Sequence, residues 1–262
     1  MNGYCSLKQT GDSRPARPYK GDFMNYDHIL SAVFLERPNR FTALVSLPSS
    51  SSGKTAVCHV KNTGRCRELL IPGTSVLIEH HPDALQKGRK TEYSLIGVYK
   101  ERAGRYGETL LINMDSQAPN QAAFEWLCQG GLGPVSDVKR EVRFGGSRFD
   151  LSFRKDGSFC FMEVKGVTLE TNGTASFPDA PTERGLKHLL ELEKAVKSGF
   201  QAYVLFVIQM KGIHAFRPNR GTHPAFADAL KRISQNGVQI LAKDCLVTEH
   251  SMKIDGDVPV FL

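Results

Sequence analysis

Between Ile29 and Asp115 the apolar positions recur at every second residue. Phe41, Ala43, Val45 and Leu47 alternate with neighbours of other character, and so do Ala56, Cys58 and Val60. That period belongs to strands with one buried face. A denser run, Ile29 to Leu35, precedes them, and Val76 to Ile78, Tyr93 to Tyr99 and Leu110 to Met114 follow. Turn residues separate the runs, among them Ser49 to Gly53 and Pro72-Gly73. Five or six short strands so punctuated predict a small barrel or sandwich, and a five-stranded OB-type barrel fits the length.

Past Asp115 the pattern changes to mixed helix and strand. Ala118 to Gln129 predicts a helix stopped by Gly130-Gly131, followed by strands at about 139–144, 148–153 and 159–165. Glu183 to Ser198 carries Leu186, Leu189, Leu190 and Val196 on one side and ends at Gly199, which predicts an amphipathic helix. Ala202 to Ile208 is apolar without alternation, as expected of a central strand buried on both faces. Phe226 to Ser234 predicts another helix and Val238 to Ala242 a last strand. The expected fold is α+β in two domains: an OB-fold-like β-barrel over 25–115, then an α/β domain over 116–262. Residues 1–24 carry Gly, Pro, Ser and charge without an apolar period, and are expected to be a disordered tail outside either domain.

Composition adds a partner class. The 262 residues are 40% hydrophobic and 23% charged, ordinary for a globular chain, with a formal net charge of +7. A basic balance spread along the chain favours polyanionic partners such as nucleic acid. The cysteines form no C-x-x-C pair and join no histidine at zinc spacing, so neither structural zinc nor disulfides are expected, and Cys160, within an apolar run, is expected to be a core thiol. With no apolar run of membrane-spanning length and no signal peptide, a cytoplasmic protein with no membrane partner is expected.

The candidate chemistry lies in Arg140 to Lys165, where three predicted strands are joined by turns at Gly145-Gly146 and Asp156-Gly157. Alternation puts Phe149, Leu151 and Phe153 on one face of the second strand and Arg148 and Asp150 on the other; on the third, Glu163 and Lys165 share the face opposite Cys160, Met162 and Val164. The hairpin therefore brings Asp150 beside Glu163 and Lys165, with Glu141 from the preceding strand able to join. Two carboxylates at one point repel unless a cation lies between them, and Mg²⁺ or Mn²⁺ favours one or two carboxylates together with phosphate oxygens. Asp150 and Glu163 are the expected metal ligands; Lys165 is placed to act on the attacking water or the charge developing at phosphorus. Such a D-x₁₂-E-x-K hairpin is the arrangement of the PD-(D/E)XK nuclease core; a plain surface ion pair of Lys165 with either carboxylate is the simpler alternative. Downstream, Thr182 is a candidate N-cap, and Arg184, Lys187 and His188 fall three and four apart, a spacing that would present a phosphate-binding face.

These residues, with the stretches RPNRF (37–41), HVKNTGR (59–65), ELLIPG (68–73), RKTEY (89–93), SRFD (147–150), EVKGVTL (163–169) and FPDAPTERGLKHL (177–189), give the chain its resemblance to the sugar fermentation stimulation protein A family over about 27–250. The resemblance implies an N-terminal OB-fold domain, a C-terminal PD-(D/E)XK-like domain, DNA as partner, and a link to the regulation of sugar use, maltose in particular. It maps the metal-type residues to Glu141, Asp150, Glu163 and Lys165. His223 departs from the pattern, since many members have Asp there. In the first domain Asn62, Thr63, Gly64, Arg65 and Arg67 are candidate phosphate contacts, as are Arg37, Arg40, Arg89 and Lys90, with Arg148 and Thr182 in the second. Three functions stay open at this point: a DNA-associated regulator, a Mg²⁺-dependent nuclease on DNA or RNA, and a sensor of a small anion such as a sugar phosphate.

Overall fold

A computed structural model describes residues 24–48, 54–62, 64–84, 86–102 and 109–262. The turn expected at Ser49 to Gly53, the candidate contact Thr63 and nearly all of the expected tail lie outside the described residues.

The first half is built from β1 (Ile29–Asn39), β2 (Thr42–Leu47), β3 (Lys54–Val60), β4 (Ser75–His80), β5 (Tyr93–Glu101) and β6 (Thr109–Asn113). β1 is long enough to pair with β2 along one edge and with β4 along the other, and it bends at register shifts between Phe34 and Asn39. Bulges of this kind curl a sheet toward closure. β3 closes the ring by pairing in parallel with β5 at Cys58↔Tyr93 to Val60↔Leu95, so five strands form the expected OB barrel. Past that point β5 pairs with β6 instead. The alternation now has its physical meaning: Ala43, Val45, Ala56, Cys58, Val60, Val76 and Ile78 are buried inside.

The second half runs α1 (Ala118–Cys128), β7 (Ser136–Phe144), β8 (Ser147–Lys155), β9 (Ser158–Val167), β10 (Leu169–Thr171), β11 (Thr174–Phe177), α2 (Glu183–Lys197), β12 (Gln201–Ile208), β13 (Ala215–Pro218), α3 (Pro224–Gln235), β14 (Gln239–Val247) and β15 (Met252–Asp257). Six strands form one sheet in the order β15-β14-β12-β9-β8-β7. β12 is central and parallel to both neighbours, which is why its sequence is apolar without alternation. One face packs on α1 through Met162, Val164, Leu205 and Val207; the other packs on α2 and α3 through Phe161, Val204, Phe206 and Ile208.

The structure departs from the expected elements in three places. The strand at Val238 is not the last: β14 runs on to Val247 and β15 follows, antiparallel to it. β10, β11 and β13 form a separate three-stranded sheet, and at three or four residues each they are too short to show a period. Third, Phe149 does not share a face with Leu151 and Phe153. Phe149 packs toward α2, its ring 5.3 Å from that of Phe161, whereas Leu151 and Phe153 belong to the cluster against α1. The β8–β9 ladder begins only at Leu151↔Met162, so the alternation breaks at Asp150, where the two strands diverge.

The two halves meet in a polar seam at residues 113–116. Gln209 Nε2 donates to the Asn113 carbonyl at 2.9 Å and to the Asp115 carbonyl at 3.1 Å, and the Asn113 amide donates back to the Gln209 carbonyl at 2.9 Å. Lys61 Nζ reaches Asp115 Oδ2 at 2.8 Å, and Lys100 Nζ donates to the Glu170 carbonyl at 2.6 Å. Among the described residues no helix is long and apolar enough to cross a membrane. The five described cysteines are buried and unpaired, Cys160 included, which agrees with a core thiol.

Because Gln209 is buried and serves both halves, Gln209→Ala should strand buried acceptors on Asn113 and Asp115. Urea unfolding should show a loss of about 1–3 kcal/mol; an unchanged midpoint would mean that the seam is held by its other bonds alone.

Candidate functional site

Asp150 lies where β8 parts from β9, and its carboxylate takes over from the interrupted ladder. Oδ2 accepts from the Val164 amide at 2.8 Å, and Oδ1 accepts from Asn120 Nδ2, on the first turn of α1, at 2.9 Å. Glu163 comes from β9 in the middle of the sheet and is 2% exposed. Its Oε1 is bonded both to Lys165 Nζ and to His188 Nδ1 on α2. Its Oε2 is buried and has no protein partner. A buried carboxylate oxygen without a donor is costly. Asp150, Glu163, Lys165, Asn120, Arg184 and His188 line one cleft of about 220 Å³.

The electrostatics separate the two carboxyls. Burial, with the Glu163 charge adding to it, pushes the Asp150 carboxyl up to about 6; its bonds from Val164 and Asn120 oppose this. Burial acts on Glu163 too, but there the bond to His188 and the adjacent Lys165 ammonium outweigh it and hold the carboxyl below its ordinary value. One carboxyl is thus firmly ionised, while its neighbour is poised to ionise near neutrality or when a cation arrives.

Gly166 explains how α1 comes so close. A Cβ there would lie 2.5 Å from Gln209 Oε1 and 2.7 Å from Pro119 Cγ. Only glycine lets the start of α1, and Asn120 with it, press against β9 just past Lys165. On the opposite wall Thr182 is the N-cap of α2, its side chain accepting from the Gly185 amide at 3.0 Å, as its sequence position implied.

The other expected residues are placed as follows. Glu141 stands opposite Asp150 in register, between Arg140↔Leu151 and Val142↔Phe149. A left-handed φ of +55° accompanies its turn outward, where it is exposed and pairs with the exposed Arg148 at 3.4 Å. It lines a neighbouring cavity together with Asp150 but is not bonded into the carboxylate–lysine network, and no group of three or more His, Cys, Asp or Glu placed to hold a metal occurs among the described residues. The face expected from Arg184, Lys187 and His188 is split. Arg184 and Lys187 are exposed, with Lys187 Nζ donating to the Gly146 carbonyl at 2.9 Å, whereas His188 is buried against Glu163.

In the barrel, Arg37 is not a free cation for phosphate: its guanidinium donates to the carbonyls of Arg40, Asn62, Gly64 and Arg65 at 2.7–3.0 Å. Asn62 Oδ1 accepts from the Gly64 amide at 2.8 Å, which makes a local turn, and the Arg65 amide donates to Asp179 Oδ2 at 3.0 Å. The loop is thus docked on the second half. Arg65 and Arg67 remain exposed, as do Arg40 and Lys90; Arg89 is half-buried and donates to Ser94 Oγ at 2.8 Å. The sequence reading missed Asn120, a helix residue 30 positions before its partner, and Asp179, which lies within a quoted stretch but without a role.

The chain resembles known proteins along most of its length. The family model for the SfsA N-terminal OB domain matches residues 35–106, and that for the sugar fermentation stimulation protein RE domain matches 117–251. A sugar fermentation stimulation protein homolog of Desulfitobacterium hafniense (strain Y51) is 52% identical over 91% of this chain and 99% of its own. The homolog of Clostridium beijerinckii is 49% identical over 91% and 100%. The solved structure of Pyrococcus furiosus SfsA in complex with Ca²⁺ superposes with a TM-score of 0.77 at 26% identity, covering 92% of this chain and 99% of that one.

The raised Asp150 carboxyl predicts a signed pH effect. A carboxyl with a folded pKa near 6 and an unfolded value near 3.8 favours folding most when protonated, and that contribution is lost as pH rises through this window. In the presence of a chelator, the stability of Asp150→Asn relative to wild type should therefore grow between about pH 4 and pH 7, as read from urea midpoints at each pH. A constant difference would place the carboxyl in an ordinary environment.

Proposed function

The chain belongs to the sugar fermentation stimulation protein family, and on that premise we propose that it binds DNA and hydrolyses phosphodiester bonds in its second domain, a PD-(D/E)XK nuclease-like unit. The observation that carries this is the meeting of Asp150, Glu163 and Lys165 in one cleft with a buried Glu163 oxygen left over. Asp150 and Glu163 fit a hard divalent cation: they offer oxygen donors only, one of them unpartnered and one ready to give up its proton. When bound there, Mg²⁺ or Mn²⁺ would supply Lewis acidity to a phosphoryl oxygen and acidify a water. That a related protein is named as a Ca²⁺ complex supports the choice of a divalent cation.

The chain's own residues supply the rest. Asn120 and the Val164 amide fix the orientation of Asp150. His188 and Lys165 hold Oε1 of Glu163, which leaves the buried Oε2 as the unpartnered oxygen of a residue that lines the cleft. Lys165 Nζ is positioned to stabilise the extra charge on phosphorus during attack. Arg184 and the N-terminus of α2 present positive charge to a phosphate that enters the cleft.

In a second reading the chain is a DNA-associated regulator of sugar use, maltose included, and the same cleft grips a phosphate without cutting; the relatives' names, sugar fermentation stimulation protein homologs, agree with its link to sugar use. Lys165→Met separates the two. In the hydrolase, the variant should retain DNA and Mn²⁺ binding and lose cleavage by roughly a hundredfold, since the charge acts mainly in the transition state. Titration calorimetry with Mn²⁺ should show heat that Asp150→Ala loses. Wild-type protein that cuts neither DNA nor RNA with either metal would leave the regulator reading.

A further inference from the structure

Three cavities meet at the seam between the halves, and they share walls. The cleft holding Asp150 and Glu163 shares Ser116, Asn120 and Asp150 with a cavity of about 650 Å³ on one side. On the other side it shares Ser116 and Gly166 with a cavity of about 170 Å³, whose far wall is Asn62 and Gly64 of the barrel and Asp179 of the second half. Together they form one groove along the domain boundary, with the carboxylates in its middle.

The walls of this groove are fixed. Seam bonds from Gln209 to Asn113 and Asp115, from Lys61 to Asp115, and from the Arg65 amide to Asp179 pin the barrel to the second half on both sides of the cleft. Gly64 and Asp179 touch so closely that a Cβ on Gly64 would lie 2.3 Å from the carboxylate. The reacting groups are recessed between these walls, with Glu163 2% exposed. A duplex carries its phosphates on a wide convex surface beside a second strand, whereas an unpaired strand, with free backbone torsions, follows recessed groups between fixed walls more readily.

Charges of both signs and one aromatic ring line the path. The large end carries Arg140 and Lys61, the latter bonded to Asp115, together with Glu79, Glu141 and Asp150; Arg184 lines the middle, and Arg65 is exposed beside the small end. There Arg37 ties the Arg40 carbonyl to that of Asn62, so the β1–β2 turn lies directly against the groove's end. Phe41 on that turn is 49% exposed, with the Arg40 guanidinium over its ring at 5.5 Å. An exposed ring beside a cation is a platform for a base, and a base offers its face only when unpaired.

We infer that the substrate is a single strand, or the unpaired arm of a duplex, threaded along the domain-boundary groove with its bases turned toward Phe41. This rests on the hydrolase reading for the location of the reacting bond, but strand preference can be measured without cleavage. In Ca²⁺ the wild-type protein should bind a labelled single strand at least about tenfold more tightly than the blunt duplex of the same sequence. Phe41→Ala should lose most of that preference, and Arg140→Glu, at the other end, should weaken strand binding by a similar factor in protein that circular dichroism shows to be folded. In Mn²⁺, a duplex carrying one unpaired arm should be cut only within the arm. Equal or tighter duplex binding, or indifference to both substitutions, overturns the inference. Cuts within the paired region overturn it too and leave the hydrolase standing. With no cuts at all the hydrolase falls, and the binding comparison alone decides strand preference.

Discussion

The seam at Asn113 to Ser116 is the constraint on which the rest of this molecule depends. The chain leaves the barrel there, and within two residues of Ser116 it starts α1, so any slack at this point would let the halves rock. Gln209 removes the slack by spanning three acceptors on Asn113 and Asp115 from the end of β12, and Lys61 closes on Asp115 from the barrel side. Asp115 also accepts from the Gln117 amide at 2.9 Å, so the same carboxylate receives the barrel's lysine and fixes the residue that leads into α1. Buried polar contacts of this kind add little net stability, but they specify one arrangement because any other leaves them unpaired.

From that fixed joint the chemistry of the cleft follows by packing. α1 leaves Ser116 in one direction only, Pro119 presses on Gly166, and Asn120 arrives at Asp150. α2 closes the opposite wall because Leu189 and Leu192 are drawn into the core beside Phe161 and Phe206, and this turns His188 inward onto Glu163. An ionised carboxylate buried to this degree would be expelled from an apolar layer; the lysine two residues on and the histidine across the gap make it tolerable. The same burial raises Asp150, which has no such cations bonded to it, so the two acids titrate apart.

The docking of Asn62 to Arg65 on Asp179 changes what the barrel does. A loop that reads as a phosphate grip is used mainly to join the halves, and Arg37, the residue with the most donors there, is spent on backbone carbonyls. The exposed groups left beside it, Arg40, Phe41, Arg65 and Arg67, face solvent. Both halves thus contribute to one surface, which neither could form alone.

Much of this was legible in the sequence because it is local. A period of two marks strands of a barrel whatever lies around them, an unbroken apolar run marks β12 as central, and Thr182 caps α2 through a bond three residues long. The D-x₁₂-E-x-K spacing brings Asp150 and Glu163 together because a hairpin with one tight turn fixes its own register. What the tertiary structure decided has no local period. The flip of Phe149 relative to Leu151 follows from β9 diverging at Asp150, and the outward turn of Glu141 from a left-handed residue within β7. Asn120 and Gln209 find their partners 30 and 96 residues away. Whether Lys187 and His188, neighbours in the chain, face solvent or the core depends on which side of α2 the sheet covers. Spacing along a chain determines contacts that one element makes with itself or with its hairpin partner; burial, and with it the protonation and availability of each charged group, is set only when distant elements close over them.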